Sequence, residues 1–445
     1  MIRPLLFNAF DMATPGHIQQ GLWAHPRDTS RNYTKLDHWT GLAQLLERGL
    51  FDGLFLADVL GIYDVFGGTA DAALRGGVQV PLLEPTLLVP AMAAVTAHLG
   101  FGVTCNLAYE SPFLFARRMS TLDHLTSGRI GWNIVTGYLD SAARAMGYAG
   151  QMQHDDRYGL ADEYLDAVYA LWEGGWEDDA VRREPGRYTD PTRVHRVEHR
   201  GPQYQISALP LCEPSPQRTP VLFQAGASPR GIQFAGKHAE CVFVNGTNPA
   251  AVANQVRALR KAAAPREIRV FVGATVVVGR TEAEAQDLLQ EYAAYADQEA
   301  TLAHASASLG IDLARFGMDE PVMAGPGNAI QSNVTAMGAG WTKRGLLSRS
   351  TLGSRQAPIV GSAVQVADAL QLWRDGADVD GFNLSRTVLP ECLEAFIGLV
   401  VPVLQERGLY KTGYASGTYR DKLFGLGDRL PMIHPAAQFH APSAR

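Results

Sequence analysis

Strand-like and helix-like segments alternate along almost the whole chain, and this alternation restricts the possible folds more than any other property of the sequence. Short apolar runs rich in β-branched or aromatic residues stand at 5–10, 53–57, 100–107, 130–135, 220–225, 241–244, 269–278 and 381–384. Between and after them lie stretches of helical period at 33–48, 86–98, 112–126, 157–173, 230–238, 249–264, 282–305, 363–375 and 389–407. Runs of this length and composition, bounded by turn residues, are buried strands. Eight strands, each followed by a helix, predict an α/β chain closed into a (β/α)8 TIM barrel rather than a doubly wound sheet.

The chain has 445 residues, more than a minimal barrel needs, and is expected to form one domain spanning 1–445. Three insertions take up much of the excess. The stretch 61–85 is Gly-rich. The stretch 176–216 is charged and broken by Pro and Gly, with a short strand expected at 201–206. The stretch 306–358 separates the seventh helical segment from the eighth. Unstructured connections this long are usually functional or disordered, so all three are expected to cover the catalytic mouth. The residues after 408 read as a polar extension around the barrel or a neighbouring subunit.

Charge and composition exclude several classes. A formal net charge of −6 without a concentrated basic face argues against nucleic acid as a partner. No apolar run long enough to span a membrane occurs, and the N-terminus lacks the pattern of a signal peptide. Cys105, Cys212, Cys241 and Cys392 are far apart, as expected of reduced thiols in a cytoplasmic protein. The glycine-rich loop of P-loop enzymes, the serine-hydrolase elbow and the dinucleotide fingerprint are all missing, which removes support for those chemistries.

Four local patterns carry chemistry. Gln224-Ala225-Gly226-Ala227-Ser228-Pro229-Arg230-Gly231 ends a strand and opens a helix. Small residues there admit an anion close to the backbone, and the helix N-terminus favours negative charge. An ordinary Ser-Pro helix start explains the same residues, and both readings stay open at this point. His154-Asp155-Asp156-Arg157-Tyr158 heads a helix, with Asp155 or Asp156 as its cap and His154 and Tyr158 as donors one turn apart. Asp58 directly follows the second strand and His17 follows the first, at the end where barrels keep their working groups; a turn residue and an idle loop histidine are the plainer alternatives. His195, Glu198 and His199 have the spacing of an inverted zincin site, but in a Pro/Arg-rich loop where metal catalysis is a minor alternative.

Longer strings carry a family resemblance. Among them are Asn8-Ala9-Phe10-Asp11-Met12, Gly21-Leu22-Trp23-Ala24-His25-Pro26, Phe51-Asp52-Gly53-Leu54-Phe55-Leu56-Ala57-Asp58, Trp132-Asn133-Ile134-Val135-Thr136 and Cys212-Glu213-Pro214-Ser215-Pro216. Together with 118–129 and 154–158 they resemble the bacterial-luciferase-like flavin monooxygenases. The branch concerned acts on nitrilotriacetate, dibenzothiophene sulfone, dimethyl sulfide and long-chain alkanes.

That resemblance implies a luciferase-like barrel that receives reduced FMN (FMNH2) from a separate NAD(P)H-dependent flavin reductase. Through a flavin C4a-peroxide and O2 it would oxygenate a small organosulfur, organonitrogen or hydrocarbon substrate. A homodimer or homotetramer is implied as well. By position, Asp58 and Thr104 would face the flavin ring with Asn106 nearby, and Gly137, His154, Tyr158, Ala227 and Ser228 would hold the ribityl phosphate. His17, Tyr63, Gln79 and His304 match substrate-side positions of the alkane enzyme. Two positions depart from it, Thr14 where that enzyme has Cys and Tyr138 where it has His. Phe10, Phe55, Tyr63 and Tyr138 are candidates for apolar walls, with Phe10 and Phe55 better suited to the barrel core. Some relatives consume the flavin itself, which makes a flavin-degrading, riboflavin-lyase-like activity the alternative.

Overall fold

All eight apolar runs form parallel strands: β1 (Leu6–Met12), β2 (Gly53–Ala57), β3 (Gly100–Asn106), β4 (Ile130–Val135), β5 (Val221–Gln224), β6 (Cys241–Val244), β7 (Arg269–Gly279) and β8 (Gly381–Ser385). Their pairing order β6-β5-β4-β3-β2-β1-β8-β7 closes through β7 and β6. Closure leaves no free edge and buries every strand on both faces, which is why these runs read as nearly continuous apolar sequence. The computed structural model describes residues 3–226, 228–323, 340–353 and 357–441.

The ring of helices consists of α1 (Leu36–Arg48), α2 (Val89–Ala94), α3 (Pro112–Leu125), α4 (His154–Glu173), α5 (Pro229–His238), α6 (Pro249–Ala263), α7 (Ala363–Ala377) and α8, which runs through Glu391–Ala395, a π turn at Phe396–Val400 and Val401–Glu406. One place in the ring differs from expectation. The segment packed beside α6 is Ala363–Ala377. The expected seventh helix, 282–305, instead splits into Glu282–Ala293, which packs on β7, and Gln298–Leu309, which packs on Asp71–Gly76 of the first insertion. Both belong to the insertion that follows β7.

Inside the barrel Phe55, Phe223, Phe243 and Phe271 form an aromatic layer, with Phe223 and Phe243 stacked at 5.5 Å. Phe55 and Phe10 belong to this core, their ring centroids 5.6 Å apart. The floor comes from the C-terminal segment, where Tyr419 and Leu423 rise into the barrel from below. A Cβ on Gly100 would lie 2.5 Å from the Tyr419 ring, so the plug needs glycine at that point of β3. Arg420 is buried beside it against Glu240, with Nε 2.7 Å from Oε1. The tail is therefore an integral part of the core rather than a polar wrap.

A second correction concerns 176–216. This segment joins the end of α4 to the start of β5, so it is rooted at the floor and climbs the outside of α3 and α4. Tyr204 N–H bonds Glu163 of α4, and Cys212 Sγ reaches the Arg117 carbonyl of α3. Its second hairpin pairs Val197–Arg200 with Gln205–Ala208, which makes most of the expected strand at 201–206 a turn.

Candidate active site

The carboxyl ends of the strands open into a cavity of about 240 Å³. Seven of the expected residues line it: Asp58, Asn106, Gly137, Tyr138, His154, Tyr158 and Ser228. Thr104 lies deeper on the inner face of β3, where its Oγ1 accepts from Asn133 Nδ2 at 3.0 Å. Among the described residues Asn133 Oδ1 is buried without a partner. Ala227 lies outside the described residues.

One wall is an anion cradle. Ser228 is the N-cap of α5, with Oγ accepting from Gly231 N–H at 3.0 Å and Pro229 at the first helical position. The plain reading of this sequence as a helix start is thus correct, and the helix N-terminus that it opens borders the cavity. A Cβ on Gly231 would fall 2.9 Å from Tyr158 Oη and 3.1 Å from Ser228 Oγ, so only glycine lets the two hydroxyls converge.

Tyr158 comes from α4, which starts at His154 instead of near 157. The N-cap is Gln153, and no side chain caps the helix. Asp155 and Asp156 therefore stabilise the first turn through the helix dipole, not as caps. The earlier start puts His154, Arg157 and Tyr158 on one face at i, i+3 and i+4. Arg157, which the sequence reading passed over, lines the cavity and donates from Nη1 to the Gly137 carbonyl. Its signal was present in that same spacing. Gln224, also passed over, lines the cavity as the last residue of β5, and its Oε1 accepts from Gly226 N–H at 2.6 Å.

Behind Tyr138, the one member on the cavity lining, stands a polar cluster drawn from distant segments. Tyr63 Oη donates to Gln79 Oε1 at 2.5 Å and lies 2.7 Å from Tyr138 Oη. Gln79 Nε2 lies 3.5 Å from His304 Nε2. Tyr138 joins the cluster to the cavity, because it lines the cavity and contacts Tyr63. His17 is 2% exposed and packs edge-on against Phe10 at 4.7 Å. Its Nδ1 has no partner among the described residues. Burial, aided by the charges of Arg386 and His304, holds the imidazole well below its ordinary pKa and so neutral at pH 7. Asp58 behaves oppositely: burial, reinforced by Glu84, pushes its carboxyl up to about 7 against an opposing backbone bond from Val59.

His195, Glu198 and His199 do not converge. His195 pairs with Glu177 at 2.9 Å, His199 with Glu163 at 3.5 Å and Glu198 with Ser207 at 2.6 Å. Among the described residues no group of three or more His, Cys, Asp or Glu side chains is arranged to hold a metal ion.

A parallel barrel with its working cavity at the strand ends, read together with its relatives, defines a flavin-dependent monooxygenase. The chain belongs to the luciferase-like monooxygenase family, whose family model matches residues 10–378. It is 47% identical over 447 aligned residues to the long-chain alkane monooxygenase of Geobacillus thermodenitrificans, covering 99% of this chain and 98% of that protein. It is 43% identical to the dimethyl-sulfide monooxygenase of Hyphomicrobium sulfonivorans, covering 99% and 94% respectively. A crystal structure of riboflavin lyase with modified FMN and riboflavin superposes with a TM-score of 0.94 at 37% identity, over 99% of this chain and all of that one. No helix among the described residues is long and apolar enough to cross a membrane.

Proposed function

We propose that the enzyme takes FMNH2 from a separate NAD(P)H-dependent flavin reductase and uses O2 to insert one oxygen atom into a small organosulfur, organonitrogen or hydrocarbon compound, the second atom leaving as water. The observation that carries this reading is that Tyr138 joins the cavity bordered by the Ser228 helix start to a buried polar cluster behind it. The residues present fit FMN: the Gly231 cradle suits a phosphate, and the orphaned Asn133 oxygen gives the polar edge of a ring an acceptor. Ser228, Tyr158, His154, Gly137 and Arg157 would hold the phosphate, with Asn106, Thr104 and Asp58 toward the ring.

When bound, the flavin supplies the activation of oxygen; the protein supplies position, dryness and proton control. Neutral His17 donates a hydrogen bond to oxygen on which charge develops, a task that a pre-oriented buried donor performs without reorganisation. Tyr63, Gln79 and His304 form a fixed row against which the substrate is oriented, and Tyr138 sets its distance from the cradle. Asp58, titrating close to neutral pH, can exchange a proton with the cavity at working pH.

The full-length likeness to riboflavin lyase favours one second reading, in which a second flavin is the substrate. A single screen separates the two. Oxygen uptake is followed with a generic flavin reductase across sulfides, sulfones, amines, alkanes and free flavins, and products are weighed by mass spectrometry. A product one oxygen heavier, or cleaved at a C–S or C–N bond, supports oxygenation of a small substrate. Loss of the flavin itself supports the second reading. Uptake that yields only hydrogen peroxide with every compound refutes both.

A further inference from the structure

Arg386 is the first residue after β8, and its side chain is only 5% exposed. Burying a guanidinium costs several kcal/mol unless its charge and its donors are both matched. Asp11 at the end of β1 matches the charge, accepting from Arg386 Nε at 2.5 Å. The remaining bonds are the informative ones: Nη2 donates to two successive main-chain carbonyls, Thr14 at 3.1 Å and Pro15 at 2.8 Å. Those carbonyls belong to the loop that carries His17.

The next residue passes the constraint on. Gly16 N–H bonds the Gly77 carbonyl at 3.0 Å, and Gln79 N–H bonds the Gly16 carbonyl at 3.0 Å. The three residues Thr14–Gly16 thus fix two side chains of the polar cluster, His17 just beyond them in sequence and Gln79 across a short parallel bridge. Ser30 Oγ, which donates to the Pro15 carbonyl at 3.2 Å, holds the same strip from the other side. The donors could be matched by any nearby acceptors; that they fall on Thr14 and Pro15 is what ties Arg386 to the site.

We propose that Arg386 is a positioning residue of the active site: its planar fork, neutralised by Asp11, fixes the backbone at 14–16 and thereby sets the places of His17 and Gln79. This rests on the reading of His17 and Gln79 as working groups. Arg386 touches neither flavin nor substrate; it acts through the loop. Its charge also adds to the burial that keeps the His17 imidazole neutral, so one side chain serves both the geometry and the protonation state of that ring.

The test compares Arg386→Lys and the double variant Asp11→Asn/Arg386→Gln with a control, Glu240→Gln/Arg420→Gln, which dismantles the buried pair at the barrel floor. Each is read by crystal structure, melting temperature, binding of oxidised FMN and turnover with the best substrate from the screen, or peroxide release from FMNH2 where none is found. Lysine keeps the charge and the Asp11 partner but loses the fork. Arg386→Lys should fold and bind FMN like the wild type, with the His17 ring displaced by about 1 Å from its contact with Phe10. Its kcat should fall by about 100-fold without a matching rise in KM, and its peroxide release should increase. The double variant should show the same displacement. The control should lose stability and keep both His17 placement and kcat. Wild-type His17 placement and turnover in Arg386→Lys would overturn the proposal, as would an equal loss of kcat in the control. Failure of the wild type to bind FMN would refute the cofactor reading, and the crystallographic comparison would still decide the role of Arg386.

Discussion

Asp58→Asn should stabilise the flavin-free protein while impairing it as an enzyme. The carboxyl titrates at about 7 in the native chain against 3.8 as the ordinary value. The native state therefore binds this proton more tightly than the unfolded chain. Stability falls as pH rises from about 4 to 7, and the full penalty applies above 7. At 1.36 kcal/mol per pKa unit that penalty is about 4 kcal/mol. Asparagine keeps the shape and carries no charge, although desolvating its amide gives back about 1 kcal/mol. For a chain of this length the remainder corresponds to a rise in Tm of about 3 °C at pH 8. At pH 5 only about a third of the penalty has developed, so the gain should nearly vanish. Calorimetry of wild type and variant at the two pH values, without flavin, is the measurement. Equal melting temperatures at pH 8, or a gain of the same size at pH 5, would refute the argument that Asp58 is held at the cavity at the expense of the fold. Because the same carboxyl is proposed to serve the reaction, turnover in the variant should fall by at least about tenfold.

Tyr158→Phe removes one of the two hydroxyls that converge over Gly231, and FMN affinity, followed by fluorescence quenching, should weaken about tenfold with Tm unchanged. His17→Ala should leave FMN binding intact but reduce coupled substrate oxidation by about 100-fold, with the lost oxygen recovered as peroxide. Tyr419→Ala empties the barrel floor and should cost about 3–5 kcal/mol of stability, read as a lowered Tm, with KM unaffected in the surviving folded enzyme. Prolonged treatment with EDTA should leave turnover unchanged; activity lost to the chelator and restored by zinc would reinstate the metal reading of His195 and His199.

The strands were legible because each is an apolar run buried on both faces, a signal that does not depend on its neighbours. Assignment to the ring was less legible, and the reason is physical. The stretches 282–305 and 363–375 have similar amphipathic periods, and periodicity reveals that a helix has an apolar face but not what that face covers. Ala363–Ala377 covers α6 and Glu282–Ala293 covers β7, a choice made by tertiary packing. The hairpin at 197–208 was misplaced for a related reason: its burial alternates weakly, so the turn and the strand exchange places by a few residues. Within the site, the cradle could be read locally, because Ser228, Pro229 and Gly231 are close in sequence. Tyr63, Gln79 and His304 are not, and only the family resemblance placed them together before the structure did.

The arrangement also explains how such a barrel can keep one cofactor and change its substrate. The cradle is built from β5, α5 and the first turn of α4, elements whose apolar faces are committed to the core, and Tyr158 and Phe234 pack against each other at 5.3 Å. Changes there would be felt through packing and would be costly. The polar cluster is mounted on the 61–85 insertion, the helix Gln298–Leu309 and the loop after β1, which meet one another more than they meet the ring: Gly76 lies against Ala300, and Gly16 bridges to Gly77. Side chains on that second layer can be exchanged without disturbing the strands beneath. The departures from the alkane enzyme noted at the outset, Thr14 and Tyr138, fall on this side or on its border with the cradle. A tyrosine at 138 puts a hydroxyl where a smaller imidazole would stand, and here that hydroxyl is bonded to Tyr63 at 2.7 Å. Reach and polarity at that point, rather than the chemistry of oxygen, are therefore where a substrate preference unlike that of the alkane enzyme would arise.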